Sequence, residues 1–103
     1  MDSILQKDTT KCFICKQNAN GDFLAKHHIF GGALRSKSEK YGLTVYIHND
    51  KCHIFGKYAV HKNAKVNRKL QAFAQKKAME HYGWSVEDFR REFYKNYLEE
   101  GET

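Results

Sequence analysis

Apolar residues follow no regular spacing through residues 1–10, which predicts a loose lead-in ahead of the first organised segment. "KCFICKQN" then has the form of a knuckle, a tight turn that aims a pair of thiols at one point, and "NANGD" is a turn cluster. "FLAKHHIF" has the composition of a strand closed by Gly31 and Gly32. Residues 33–42, "ALRSKSEKYG", are polar and basic and suit a loop or a short helical turn. "LTVYIH", rich in β-branched and aromatic residues, is the clearest strand of the chain. In "NDKCHIFGKYAVHKN", Asn49, Asp50 and Gly56 argue against one continuous regular element.

From Asn63 the apolar period becomes helical. Val66, Leu70, Phe73 and Ala74 share one face and the lysines spread over the rest, which predicts a helix over 63–82 with Gly83 as its C-cap. Ser85 followed by Asp88 resembles a capping box. Val86, Phe89, Phe93 and Tyr97 continue as a second stripe, predicting a C-terminal helix over 85–98, and "EEGET" is expected to fray. Phe73, Trp84, Phe89, Phe93 and Tyr97 are the expected core contribution of these helices; any exposed remainder of the stripe would mark a homodimer or partner surface. No repeat, low-complexity run or proline interrupts the chain, so 103 residues read as a single α+β domain whose apolar core is only marginally self-sufficient.

Charge adds a partner class. Eighteen Lys and Arg against twelve acidic residues leave a formal +6, which favours a polyanion such as nucleic acid. No apolar run approaches a membrane span and the first residues lack a secretory pattern, so the expected location is the cytoplasm. Three cysteines in a reducing compartment point to metal rather than disulfides. Cys12 and Cys15 have the spacing of half a structural zinc site, although a buried thiol pair or a redox dithiol has the same sequence. Cys52, with His48 at the strand exit, would complete the tetrad, unless His48 is simply an exposed strand-end histidine.

His27, His28, His53 and His61 remain. Neighbours on a strand face opposite ways, so one of His27 and His28 can coordinate a cation while the other reaches a different atom, provided the strand is bent or irregular there. On "CFIC", "KHHIFGG" and "YGLTVYIHNDKCH" the chain resembles the HNH endonucleases, and its overall style is similar to the stand-alone HNH proteins of phages and prophages. The resemblance implies a zinc-stabilised ββα-metal domain over residues 12–75 followed by C-terminal helices. It makes His28 the general base, His27 and His53 ligands of a catalytic divalent metal, and His61 a further ligand, although His61 lies eight residues beyond His53, more than one helical turn.

It further implies phosphodiester hydrolysis in DNA, structural Zn²⁺, and a catalytic Mg²⁺, Mn²⁺, Ni²⁺ or Zn²⁺. For a phage-encoded chain, the location would be the cytoplasm of a bacterial host. The cations available to hold DNA are Lys26, Arg35, Lys37, Lys40, Lys57, Lys62, Lys65, Arg68 and Lys69. One departure stands out: where the family carries an asparagine that orients the base, this chain has Tyr41 or Gly42, and Asn49 and Asn63 lie elsewhere. That departure motivates a second expectation, a catalytically silent HNH-like zinc module that binds and regulates a host protein or nucleic acid.

Overall fold

A two-stranded antiparallel sheet forms the middle of the structure, a computed structural model that describes residues 2–18, 21–54 and 59–98. Strand β1 (Leu24–His28) is followed by a 3-10 turn at Gly32–Leu34 and helix α1 (Arg35–Tyr41). Strand β2 (Thr44–His48) then runs into a helical turn, Asn49–Ile54. Helices α2 (Ala64–Tyr82) and α3 (Val86–Phe93) complete an α+β fold. No helix among the described residues is long and apolar enough to cross a membrane.

Strand register positions the histidines. Leu24 pairs with His48 at one end and His28 with Thr44 at the other. Residues directly opposite share a face, so Ala25 and His27 lie with Val45 and Ile47, both fully buried. Lys26 and His28 lie on the other face. Beyond His28 the chain is pinned: Ile29 N–H donates to the Leu43 carbonyl (3.0 Å), and the buried Ser38 hydroxyl both accepts from Phe30 N–H (3.0 Å) and donates to its carbonyl (2.8 Å). Phe30 then enters an aromatic cluster with Phe93 (4.9 Å between centroids), Tyr97 (4.7 Å) and Phe89 (5.7 Å). The C-terminal helix thus anchors the strand end that carries the histidine pair.

Gly83 and the Ser85–Asp88 pair act as expected, and Asn63 adds an N-cap. Asn63 caps α2 by accepting from Lys65 and Val66 N–H, Gly83 ends it in the left-handed region (φ 69°), and Ser85 with Asp88 forms a reciprocal capping box on α3. The predicted C-terminal helix over 85–98 is nonetheless shorter, stopping at Phe93 where Tyr94 turns left-handed (φ 66°). A non-local amide is the cause. Buried Gln75 of α2 donates to the Asn96 side chain (2.8 Å) and accepts from Tyr97 N–H (2.6 Å), drawing the chain off the helix while Tyr97 still reaches the core.

The lead-in is not loose over Ser3–Gln6. Ile4 N–H donates to the Gly42 carbonyl (2.9 Å), the Ser3 hydroxyl to the Thr44 carbonyl (2.5 Å), and Tyr46 N–H to the Gln6 side chain (2.7 Å), covering the outer edge of β2. Gly42 is central to that docking. Its φ is 72°, and a Cβ there would sit 2.6 Å from the Asp2 carbonyl oxygen. Gly42→Ala should therefore cost about 1–3 kcal/mol in chemical denaturation; an unchanged midpoint would show that the arm contributes nothing. The expected fraying of residues 99–103 and the turn residues Ala19 and Asn20 lie outside the described residues.

Candidate metal centre and adjoining cleft

Cys12 opens a turn held by Lys16 N–H to the Cys12 carbonyl (2.8 Å) and Cys12 N–H to the Gln17 carbonyl (2.8 Å), with Lys16 itself left-handed at φ 64°. Phe13 N–H donates to the Tyr46 carbonyl (2.9 Å), which fixes this knuckle beside the exit of β2. There Cys12, Cys15, His48 and Cys52 bring their ligand atoms within 4.8 Å of one another. His48 Nδ1 lies 3.2 Å from Cys15 Sγ and 3.8 Å from Cys52 Sγ. Around a tetrahedral ion such as zinc, with metal–sulfur near 2.3 Å and metal–nitrogen near 2.0 Å, neighbouring S and N atoms stand about 3.6 Å apart, between those two values. His48 Nε2 is 2.6 Å from the Asn18 carbonyl. A carbonyl only accepts, so Nε2 carries the proton and Nδ1 offers its lone pair to the thiol cluster.

The thiols are electrostatically unequal. Burial pushes Cys12 up, but backbone N–H groups of Cys15, His48 and Ile14 outweigh it and bring the thiol down to about 7, so a thiolate is available near neutrality. Burial, then the neighbouring Cys12 and Cys15 sulfurs, push Cys52 up to about 12. Three clustered sulfurs cannot all ionise without a compensating cation. The Cys3His set therefore fits a metal ion on geometry and on charge.

A second cluster lies along the sheet. His27, His53 and His61 also bring ligand nitrogens within 4.8 Å of one another. His27 is buried on the core face of β1; His53 comes from the turn after β2, and His61 from the turn ahead of α2. The long interval between the last two is absorbed by the backbone, for Val60 N–H donates to the Cys52 carbonyl (3.0 Å) and His61 N–H to the His53 carbonyl (3.1 Å), so the chain returns beside itself.

His53 and His61 Nε2 atoms are 2.8 Å apart, and ring centroids are 5.0 Å for His27–His53 and 5.6 Å for His27–His61. Tetrahedral nitrogens around one ion stand about 3.3 Å apart, so these rings need only shifts of an ångström or so. Burial, followed by His53, His61 and His28, holds His27 down to about 3; burial and then His61 lower His53. Both rings are thus neutral at physiological pH. His27 Nε2 and His53 Nδ1 are buried without a hydrogen-bond partner among the described residues. Buried imidazole nitrogens without a partner, in a triad whose ligand atoms lie within 4.8 Å of one another, fit a cation.

These histidines line a cleft of about 450 Å³, together with Lys26, His28, Gly31, Gly32, Arg35, Asn67 and Gln71. His28 reaches it from the opposite strand face because β1 ends there. Its Nε2 is 2.9 Å from Glu39 Oε1, while Lys26 Nζ is 2.8 Å from Oε2 of the same carboxylate. Hydrogen bonds from Lys26 and then His28 hold Glu39 down to about 2.

The remaining candidates are dispersed. Arg35 borders the cleft, and Lys62, Lys65, Arg68 and Lys69 are exposed on the approach to α2 and on its first turns. Lys26 is engaged by Glu39; Lys37 lies 3.9 Å from Glu92, and Lys40 over the Tyr41 ring. Lys57 lies outside the described residues. At the position expected for an asparagine, Tyr41 bonds Glu92 through its hydroxyl and Gly42 supports the N-terminal arm, while Asn49 bonds Asp50 and Asn63 caps α2. Sequence reasoning missed Glu39, Asn67 and Gln71. The last two are a polar pair four residues apart at the margin of the α2 apolar face, a spacing that marks one helix side. No family model, curated protein or solved structure matches this chain.

Proposed function

We propose that the chain is a metal-dependent endonuclease of the HNH type that hydrolyses phosphodiester bonds in DNA. The observation that carries this reading is the convergence of His27, His53 and His61 on one point of a cleft that His28 also borders. A structural Zn²⁺ on Cys12, Cys15, His48 and Cys52 belongs to the same reading, and would fasten the knuckle to the strand exit from which His53 departs. A divalent cation on the three imidazoles would supply positive charge to the scissile phosphate and its leaving oxygen.

The chain's own groups do the rest. His28 takes a proton from a water molecule; the water oxygen forms a bond to phosphorus as the bond to the 3′ oxygen breaks, and that oxygen recovers a proton from solvent. Glu39 compensates the charge the ring acquires. Arg35 on the cleft margin, with Lys62, Lys65, Arg68 and Lys69 exposed around the start of α2, would hold the flanking phosphates, and the Asn67 and Gln71 amides offer hydrogen bonds in the cleft.

Incubation of supercoiled plasmid with the protein and a panel of Mg²⁺, Mn²⁺, Ni²⁺ and Zn²⁺ tests this. His28→Ala should nick about 10²–10⁴-fold more slowly than wild type. Equal rates with every metal would overturn the enzymatic reading and favour the silent zinc module.

A further inference from the structure

Glu39 occupies a place that neither metal cluster explains. Its carboxylate spans Lys26 and His28, one oxygen to each, at 2.8 and 2.9 Å. An ordinary surface ion pair would need only the lysine, and would contribute little. Here the second oxygen meets a side chain that is only 11% exposed, on the strand end next to the histidine triad.

The geometry is also braced from behind. Ser38, the preceding residue, is locked to both backbone groups of Phe30, two residues past His28, so α1 and the end of β1 cannot slide independently. A carboxylate only accepts hydrogen bonds, hence His28 Nε2 must be the nitrogen that carries hydrogen, and in a neutral ring the lone pair then belongs to Nδ1.

We infer that Glu39 is the positioning residue of His28: it holds the ring as the Nε2–H tautomer, fixes its rotation, and leaves Nδ1 as the atom that removes a proton from water. It stands on α1, two residues before Tyr41, whose own hydroxyl is engaged by Glu92. The catalytic half of this inference rests on the nuclease reading, whereas the tautomer does not.

The test uses the zinc-loaded full chain and the variants Glu39→Ala and Glu39→Gln. By NMR of nitrogen-labelled histidine at neutral pH, wild type should show a persistent hydrogen on His28 Nε2. Glu39→Gln, whose amide oxygen still accepts, should keep that signal, and Glu39→Ala should lose it to solvent exchange. In plasmid nicking, Glu39→Ala should lower kcat by about tenfold to a hundredfold with KM within about twofold, and Glu39→Gln should recover most of the loss. Thermal melts of each variant separate this from loss of fold. A hydrogen on Nδ1 in wild type, or an Nε2–H signal equally persistent in folded Glu39→Ala, would overturn the inference. Absence of nicking by wild type would instead remove the nuclease reading and leave the NMR outcome to decide the tautomer.

Discussion

Cys12→Ala, Cys52→Ala or a strong chelator is expected to unfold the chain, not merely to weaken it. The size of the effect follows from a comparison of magnitudes. A domain of 103 residues has a net stability of about 5–15 kcal/mol, whereas a structural zinc site of this donor type contributes about 10–16 kcal/mol at neutral pH. The ion is expected to join three separate pieces: the knuckle at 12–15, the end of β2 at His48 and the following turn at Cys52. Cys12 and Cys52 are also members of the apolar core, at 0% and 4% exposure, so without a cation the core must hold a cluster of sulfurs that cannot all ionise. Truncating a cysteine removes very little volume, and a cavity of that size would cost only a kcal/mol or two. Far-UV circular dichroism with metal counting separates these causes. Loss of helical signal together with the bound ion is the expected result. A Cys52→Ala protein that melts like wild type, with or without chelator, would show that the tetrad holds no structural ion.

The parts of this structure legible in the sequence are those set by local spacing. β-Branched and aromatic content marks β2, Gly83 marks the end of α2 and the Ser85–Asp88 box the start of α3, and the knuckle is written in the interval between Cys12 and Cys15. What escaped is non-local. The early stop of α3 depends on Gln75, twenty-one residues before its partner Asn96, and no stripe along residues 85–98 can register that pull. The N-terminal arm has no period because it binds the edge of β2 largely through Ser3 and Gln6 side chains.

Within the candidate site the same division holds. His48 is suggested by its place at the strand exit near Cys52, where a merely exposed histidine would look the same, and the His53–His61 interval looks too long when counted along the chain, since counting cannot see the return that pairs Val60 with Cys52 and His61 with His53. Glu39 was hidden for a different reason: a charged residue on a short basic helix reads as solvated, and only the fold brings it against Lys26 and His28.

His27→Leu is expected to stabilise the protein at the histidine cluster when that cluster holds no metal and to abolish the gain that metal brings. His27 is 7% exposed and its Nε2 has no hydrogen-bond partner among the described residues, so in the metal-free state a buried polar atom goes unsatisfied at a cost of about 1–3 kcal/mol. Leucine fills similar volume beside Val45 without that cost. A protein selected only for stability would have little reason to keep an imidazole there; one that must bind a cation accepts the loss until the ion arrives.

Two equivalents of metal separate the sites. The first should enter the thiolate tetrad, whose softer donors bind zinc more tightly. The second should raise wild-type stability by about 2.7 kcal/mol at a free metal concentration a hundredfold above its Kd, and should leave His27→Leu unchanged. Chemical denaturation after one equivalent, then after excess, reads both effects, with bound metal counted at each stage. His27→Leu should begin above wild type and lose most or all of that lead when the second ion is added, binding one ion fewer. If the leucine variant still binds two ions and gains as much stability from the second, the three histidines are not a metal centre, and the cleft beside His28 lacks the cation that the proposed hydrolysis requires.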